Sequence, residues 1–491
     1  MIWILTIEWA GSRWLWSSST PPADTGASTL GVLPPPGWAW EAPAAGEPAA
    51  PSDGVTVDLS WPGVAALEAA GHRLETAEVE LSVSGPDDLW AAREILLSGF
   101  LPGGEYGHSG EPVSVHLAPR PWEDSGLVPS ASERVAEDTW PSVGGSEGRG
   151  YPIVIGTAGI YQRADGTADT CSGSPALPVG SDILIIAAHR VASTSVSIYS
   201  PTDDSSETFA VGYQLDSAGQ TIATVDMSAA AVITSDASYS YFTTWASGGL
   251  ALEDGTPLQE AGDVIAWALR RSSLKVDDGA LEAIRAPLAG FRLAGFLDEP
   301  VAPWEWLTSQ ILPLLPVSLL QGPRGVRPVL WRQPSASLAI DSLSVDRGEV
   351  ARDGRITRVG TPLNDMTLRY AWSARTGQHL RSRRVAGTGG DISSEVARRS
   401  LSLLGSKIGE AIETQWVYDL LTADRILLSL LERRQPRRVV AVVGSLLRLH
   451  HLRPVDCVLF SESVVGLSNT PALVRRVEWG SVDARLILEI E

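Results

Sequence analysis

The sequence predicts a mainly β, multidomain protein with α/β parts. Its 491 residues are enough for roughly three or four domains of ~100–150 residues. The 33 Pro and 47 Gly call for many turns, and therefore many short strands. Apolar residues at the spacing of an amphipathic helix are found chiefly after residue 260.

In chain order, Trp3, Leu5 and Ile7 alternate with Ile2, Ile4 and Thr6 before Ala10-Gly11-Ser12, which reads as a β-hairpin. Residues 18–54 are rich in Pro, Ala and Ser. They predict an extended surface loop with Trp38-Ala39-Trp40 as its only anchor, labile to protease until it meets a neighbouring chain. Strands are expected at Val55–Leu59, at 77–83 and at 113–117, and a short helix capped by Asp87 or Asp88 between 86 and 100, carrying Leu89, Trp90, Ile95 and Leu96. Ten of the 18 tryptophans precede residue 141, so this first region either packs large side chains or shows them to partners.

Residues 141–150 read as a linker. Beyond it, a strand-to-turn unit at 151–156, a turn at Asp165-Gly166 and strands at 183–188 and 195–199 predict a small β domain over 151–247. Two motifs here imitate a serine protease, Ala187-Ala188-His189 and Cys171-Ser-Gly-Ser-Pro175. Their order is the reverse of that family's, and His189 is read as the end of a strand. Residues 248–333 predict an α/β unit. Val264, Ile265, Ala268 and Leu269 line one helix, 281–288 and 291–296 follow, and a second helix carries Trp304, Leu307 and Ile311. A hairpin then turns at residues 322–325.

The last domain, 334–491, has strands expected at 338–340, 355–359 and 366–372. A helix follows within 392–405, with Ser393 or Ser394 at its start and Gly405 at its end, and terminal strands lie at 474–479 and 485–490. Arg381, Arg383 and Arg384 read as a solvated loop paired with nearby acids. The helix after residue 419 places Ala423, Ile426, Leu427, Leu430 and Leu431 on one face. Asp419 or Thr422 can cap it, Arg433 and Arg434 suit its C-terminus, and Pro436 stops it. A Val-rich strand at 439–443, a turn at 454–456 and a strand at 457–460 complete the stretch.

The formal charge of −20 and pI of 4.8 argue against a grip on nucleic acid, which needs clustered Lys and Arg. An acid-lined passage would instead let a polyanion slide. The two cysteines, Cys171 and Cys457, are far apart and suit a reducing cytosol. No His spacing fits a metal site, and His450-His451 would point to opposite faces of a strand. No catalytic residue, cofactor or metal ligand is assigned. The opening MIWILTIEWAG lacks a basic n-region and contains Glu8, so no signal peptide is read. No apolar span reaches the ~18 residues of a membrane helix, and the chain is expected to be soluble and unexported.

The order of parts over residues 412–460 resembles the closing domain of bacteriophage tail-tip (baseplate) hub proteins of long-tailed phages. In that family a short helix follows a D-x-x-T-A signature, a Pro-Arg pair opens a strand, and a Pro-Gly-Asp turn leads to the next. Asp419, Thr422, Ala423 and Pro436-Arg437 match, while Val455 stands where the family has glycine. The likeness extends over residues 260–491, with 398–405 echoing the family's S-x-x-x-x-G step, and more loosely over 1–156.

The resemblance implies that residues 1–150 and 334–491 are β-barrel-like hub domains, with the β and α/β domains inserted between them. It implies a structural, non-enzymatic virion protein at the tail tip, assembled in the host cytoplasm. Three copies would form a ring that adapts the sixfold tail tube to the tip and encloses the DNA-ejection channel. The implied partners are two further copies of the chain, the distal tail protein, the tape-measure protein and tip or fibre proteins, with DNA passing unbound and, on a receptor-binding role, host cell surface. Three copies carry a formal charge of −60, three times −20, so net charge predicts a ring that salt favours. The alternatives are a receptor-binding tail protein or a cell-wall-degrading hub.

Overall fold

The computed structural model describes residues 2–490 apart from 10–11, 23, 25–26, 34–37, 42–54, 72–76, 86–88, 101–103, 106–112, 120–125, 141–145, 158–159, 163–167, 171–173, 180–181, 201–204, 231–240, 245–255, 323–324, 361, 374–375 and 481–482. The protein is mainly β, with several sheets and α/β parts. It opens with the expected hairpin, Ile2–Trp9 against Ser12–Ser17. Trp3, Leu5 and Ile7 face one apolar core, and Ile2 and Ile4 face a smaller cluster with Leu15 and Trp90, so both faces of the first strand are buried.

The first sheet runs Ser28–Val32, Ser12–Ser17, Ile2–Trp9, Glu78–Ser84, Glu94–Phe100, Val113–Pro119, Val55–Leu59, with Gly104–Glu105 also paired to Val113–Pro119. It curls until its two edges nearly meet. A Cβ on Gly31, in one edge strand, would lie 1.9 Å from Oγ of Ser60, just past the other. A helix that the sequence pattern did not announce, Trp61–Ala69, packs there through Val64 and Leu67, with a proline in its first turn where no N–H is missed.

Two expectations for this region need correction. Glu94–Phe100 is a strand paired with Glu78–Ser84, not part of a helix; only Trp90–Ala92 makes a 3₁₀ turn, and Asp87 and Asp88 lie outside the described residues. The Ile-Leu-Leu run fits a buried strand as readily as a helix, and pairing decides. Residues 18–54 are not a loop held only through 38–40, because Ser28–Val32 joins the first sheet in parallel with Ser12–Ser17 and Leu33 is buried. Trp38–Glu41 is indeed an anchor: it pairs antiparallel with Leu467–Trp479, Trp38 opposite Trp479 and Glu41 opposite Arg476.

Residues 146–150 do not form an open linker, since Ser146 is buried and Gly150 bridges to Arg134; residues 141–145 lie outside the described residues. A seven-stranded antiparallel sheet occupies residues 175–244, closing a core of Leu184, Ile186, Val196, Ile198 and Val225. The turn expected at Asp165-Gly166 is also outside the described residues, between the paired strands Ile160–Gln162 and Ala168–Thr170. Ile153–Ile155 pairs with Gly295–Leu297, which carries the chain into the α/β unit.

That unit holds helices Ala261–Arg271 and Asp278–Arg285, a helical stretch Pro303–Trp306 that loosens into a π turn at Leu307–Ile311, and the hairpin Val317–Gly322 with Gly325–Leu330. The last region contributes two sheets. Asp365–Ser373 and Gln378–Ala386, flanked by Ile392–Ser393 and Ile412–Glu413, pack with helix Leu420–Arg433 into the core of the α/β unit. Ala339–Ser344, Cys457–Glu462, Leu467–Trp479, Asp483–Ile490, Arg437–Ser445 and Val350–Arg352 form the closing sheet, with Thr357–Val359 also on Arg437–Ser445. Side chains of this sheet and of the first sheet share one continuous apolar core.

Candidate functional site

Helix Leu420–Arg433 meets three parts of the chain, and its signature residues do the joining. Asp419 caps it: Oδ2 accepts from the Thr422 N–H at 2.8 Å and from the Thr422 hydroxyl at 2.9 Å. With its proton committed, Thr422 Oγ1 accepts the Arg292 N–H at 3.0 Å. Ala423 is fully buried behind it, in the core that the helix shares with the α/β unit. Just before the helix, the Ala294 N–H donates to the Trp416 carbonyl at 3.0 Å, and the Trp416 ring packs edge-on to Trp306 at 5.0 Å. At the other end Arg433 donates to the Leu315 carbonyl at 2.7 Å, and its burial, with Arg434 adding to the effect, brings its pKa down to about 10.

After Pro436 the strand Arg437–Ser445 turns Val440 and Val442 into the core shared with the first sheet. Arg437 is buried 3.6 Å from Glu489, which Arg475 also approaches at 3.5 Å. Burial raises the Glu489 pKa against the pull of these two arginines. The turn at 454–456 forms as expected, and Val455 takes the left-handed conformation, φ +76°. A β-branched residue is rarely found there. The turn is held by the Val455 N–H on the Val474 carbonyl at 2.7 Å and the Val474 N–H on the Asp456 carbonyl at 2.8 Å.

His189 is held by backbone groups on both ring nitrogens. The Val154 N–H donates to its Nε2 at 3.0 Å, and Nδ1 lies 2.9 Å from the Arg190 carbonyl, so Nδ1 holds the proton and both nitrogens serve the backbone. Burial brings its pKa down to about 4. The ring sits two residues past the strand Ile183–Ala187; Cys171 lies outside the described residues. The expectation for the arginine cluster holds in its pairing but not in its setting, which is the strand Gln378–Ala386 rather than a loop. Arg383 makes a bidentate pair with Asp424 on the closing helix at 2.7 and 2.9 Å, and Arg384 another with Asp365 at 2.8 and 2.5 Å.

His450 and His451 do not face opposite sides of a strand. They follow the short helix Leu446–Leu449, with rings 5.7 Å apart, and His451 Nε2 reaches Asp341 at 3.1 Å beside the Arg448–Asp341 pair. Among the described residues no group of three His, Cys, Asp or Glu could hold a metal ion.

Unforeseen in the sequence was the network around Glu133. It is buried, and burial raises its pKa, but hydrogen bonds and charge from Arg271 with the Ser130 N–H bring it below the usual range. Gln220 also donates to it at 3.2 Å, so one carboxylate joins the first region, the small β sheet and the α/β unit.

No protein-family model and no curated protein sequence matches the chain. Among solved structures it is similar to the tail protein from Neisseria meningitidis MC58, at 10% identity and TM-score 0.39, covering 100% of this chain and 97% of that one. The prophage MuSo2 43 kDa tail protein from Shewanella oneidensis gives 9% identity and TM-score 0.38, covering 100% and 98%. A chain of the p2 virion baseplate in its activated conformation gives 9% and 0.18, covering 69% and 98%.

Proposed function

We propose that the protein is a structural component of a phage tail, the hub at the tail tip, and that three copies close a ring around the DNA-ejection channel. The reading starts from the order of signature residues around Asp419, Thr422, Ala423 and Pro436-Arg437. The observation that carries it further is the joining of the chain's two end regions. The first sheet and the closing sheet share one apolar core, and Trp38–Glu41, from the first region, is a strand of the closing sheet. A ring of six barrel-like units built from three chains needs two such units per chain at a fixed angle, because a heterologous contact closes only when its rotation is constant.

On this reading the distal tail protein, the tape-measure protein and tip or fibre proteins are the neighbours, and DNA passes without specific binding. The aromatic motive for a receptor-binding role is weak. Trp3, Trp16, Trp90 and Trp140 are buried, and Trp14 and Trp61 are partly buried against the core. The committed hydrogen bonds of His189 give the wall-degrading alternative no support at that histidine. A density map of the assembled particle tests the proposal. Three copies at the distal end of the tail are expected; a chain lying along the tube, in a fibre or outside the virion would overturn it.

A further inference from the structure

The net charge is distributed very unevenly. Residues 1–250 hold 8 Lys and Arg against 30 Asp and Glu, a formal −22, whereas residues 251–491 hold 30 against 28, a formal +2. Most cations of the second half whose surroundings were described above are engaged: Arg383 and Arg384 in bidentate pairs, Arg437 with Glu489, Arg448 with Asp341. One edge of the closing sheet differs. Thr357–Val359 is a strand with one partner, Arg437–Ser445, and all three of its residues are exposed, Val359 by 46%.

In that pair Arg358 stands directly opposite Arg438. Opposed residues in an antiparallel pair share a face, and like charges in that position are destabilising. Arg355 lies just ahead of the strand and is exposed. Gly360, just past it, reaches within 3.6 Å of the Gln435 carbonyl, measured from an ideal Cβ, which brings exposed Arg434 to the same end. Arg355, Arg358 and Arg434 make no ion pair among the described residues. Among the described residues the edge therefore offers backbone groups without a strand partner together with a cluster of like charge.

We propose that this edge is where a second copy of the chain docks, through exposed carboxylates of its first half such as Asp58, Glu137 and Asp138. The proposal rests on the self-assembly argued above and names the surface that performs it. An acid-bearing polypeptide can meet both needs of the edge, since its backbone can satisfy the open N–H and C=O groups while its carboxylates neutralise the arginines. DNA phosphate could meet only the second. Charge complementarity also reverses the salt dependence expected from net charge, because what counts is the sign of the surfaces in contact within about one Debye length, roughly 8–10 Å.

Sedimentation of the purified full chain across ~0.05 to ~0.5 M salt tests this, with the double variants Arg355→Glu/Arg358→Glu and Arg355→Gln/Arg358→Gln beside it. Self-association is expected to be tightest at low salt, to weaken at least about tenfold in the Glu variant, and to fall between in the Gln variant. Neither variant should fold less stably than the parent, because both side chains are exposed and removing Arg358 relieves its repulsion from Arg438. Equal association in parent and variants, association that tightens with added salt, or a monomer at every salt concentration would overturn the proposal. So would duplex DNA binding that the Glu variant abolishes, which would assign the edge to nucleic acid. The map of the particle separates this from the hub reading. If the chain is found at the tip and the Glu variant assembles there normally, the hub stands and this surface falls. If association depends on Arg355 and Arg358 but the chain is absent from the tip, the surface stands and the hub falls.

Discussion

Thr422 Oγ1 accepts the backbone N–H of Arg292 at 3.0 Å across 130 residues of chain, while its own proton goes to the Asp419 carboxylate. One hydroxyl thus completes a helix cap and ties that helix to the α/β unit. Thr422→Val keeps the shape and removes both bonds. It should cost about 1–3 kcal/mol, the range for leaving a buried polar group unmatched, whereas Thr422→Ser should recover most of the loss. Chemical denaturation of the three proteins checks this.

The apolar face of the same helix gives a second expectation. Leu430 is buried and Leu421 is 65% exposed. Leu430→Ala should destabilise by about 2–5 kcal/mol, and Leu421→Ala should stay within about 0.5 kcal/mol. Similar losses at both positions in a denaturant titration would mean that the face is misplaced.

Val455 allows backbone strain to be separated from packing. Val455→Ala and Val455→Gly both delete side-chain contacts with the core that Val455 borders. Only glycine relieves the φ of +76°. The left-handed conformation costs an L-residue roughly 1–2 kcal/mol, part of which glycine returns through its freer unfolded chain. The Gly variant should therefore be more stable than the Ala variant by about 0.5–1 kcal/mol. Equal thermal midpoints would contradict this.

His189 predicts a pH dependence. Its folded pKa of about 4 lies below the ordinary 6.5, so between these values the unfolded chain binds a proton that the folded protein refuses. Its contribution is full above pH 6.5 and is lost as pH falls toward 4. His189→Gln keeps an acceptor for the Val154 N–H but has no proton to gain. Between pH 7 and about 4.5 the parent should lose more stability than this variant, as read from denaturant midpoints at each pH. Parallel slopes would remove the assignment.

The sequence revealed elements whose signal is local. Helices Ala261–Arg271 and Leu420–Arg433 announce themselves because one face repeats every 3.6 residues and an acid, an arginine or a proline marks their ends. Helix Trp61–Ala69 does not, because its small and apolar residues surround it without a polar face. Strand Glu94–Phe100 is not legible either, because a short apolar run has the same appearance in a strand and in a helix. Asp419 could be foreseen as a cap. That Thr422 would serve Arg292, or Glu133 would serve Arg271, could not, since each partner lies more than a hundred residues away.

The strand Trp38–Glu41 sets a timetable for the newborn chain. Its hydrogen-bonding partner spans Leu467–Trp479, so the partner it has here is missing until residues 467–479 have left the ribosome. At the usual ~5–20 residues per second, that wait is roughly 20–90 s. The first sheet can form during this time, but the closing sheet has to admit as a neighbour a segment made more than four hundred residues earlier. Final closure is thus a late, long-range event, and a chain truncated before residue 467 would hold that strand ready with no place to lay it.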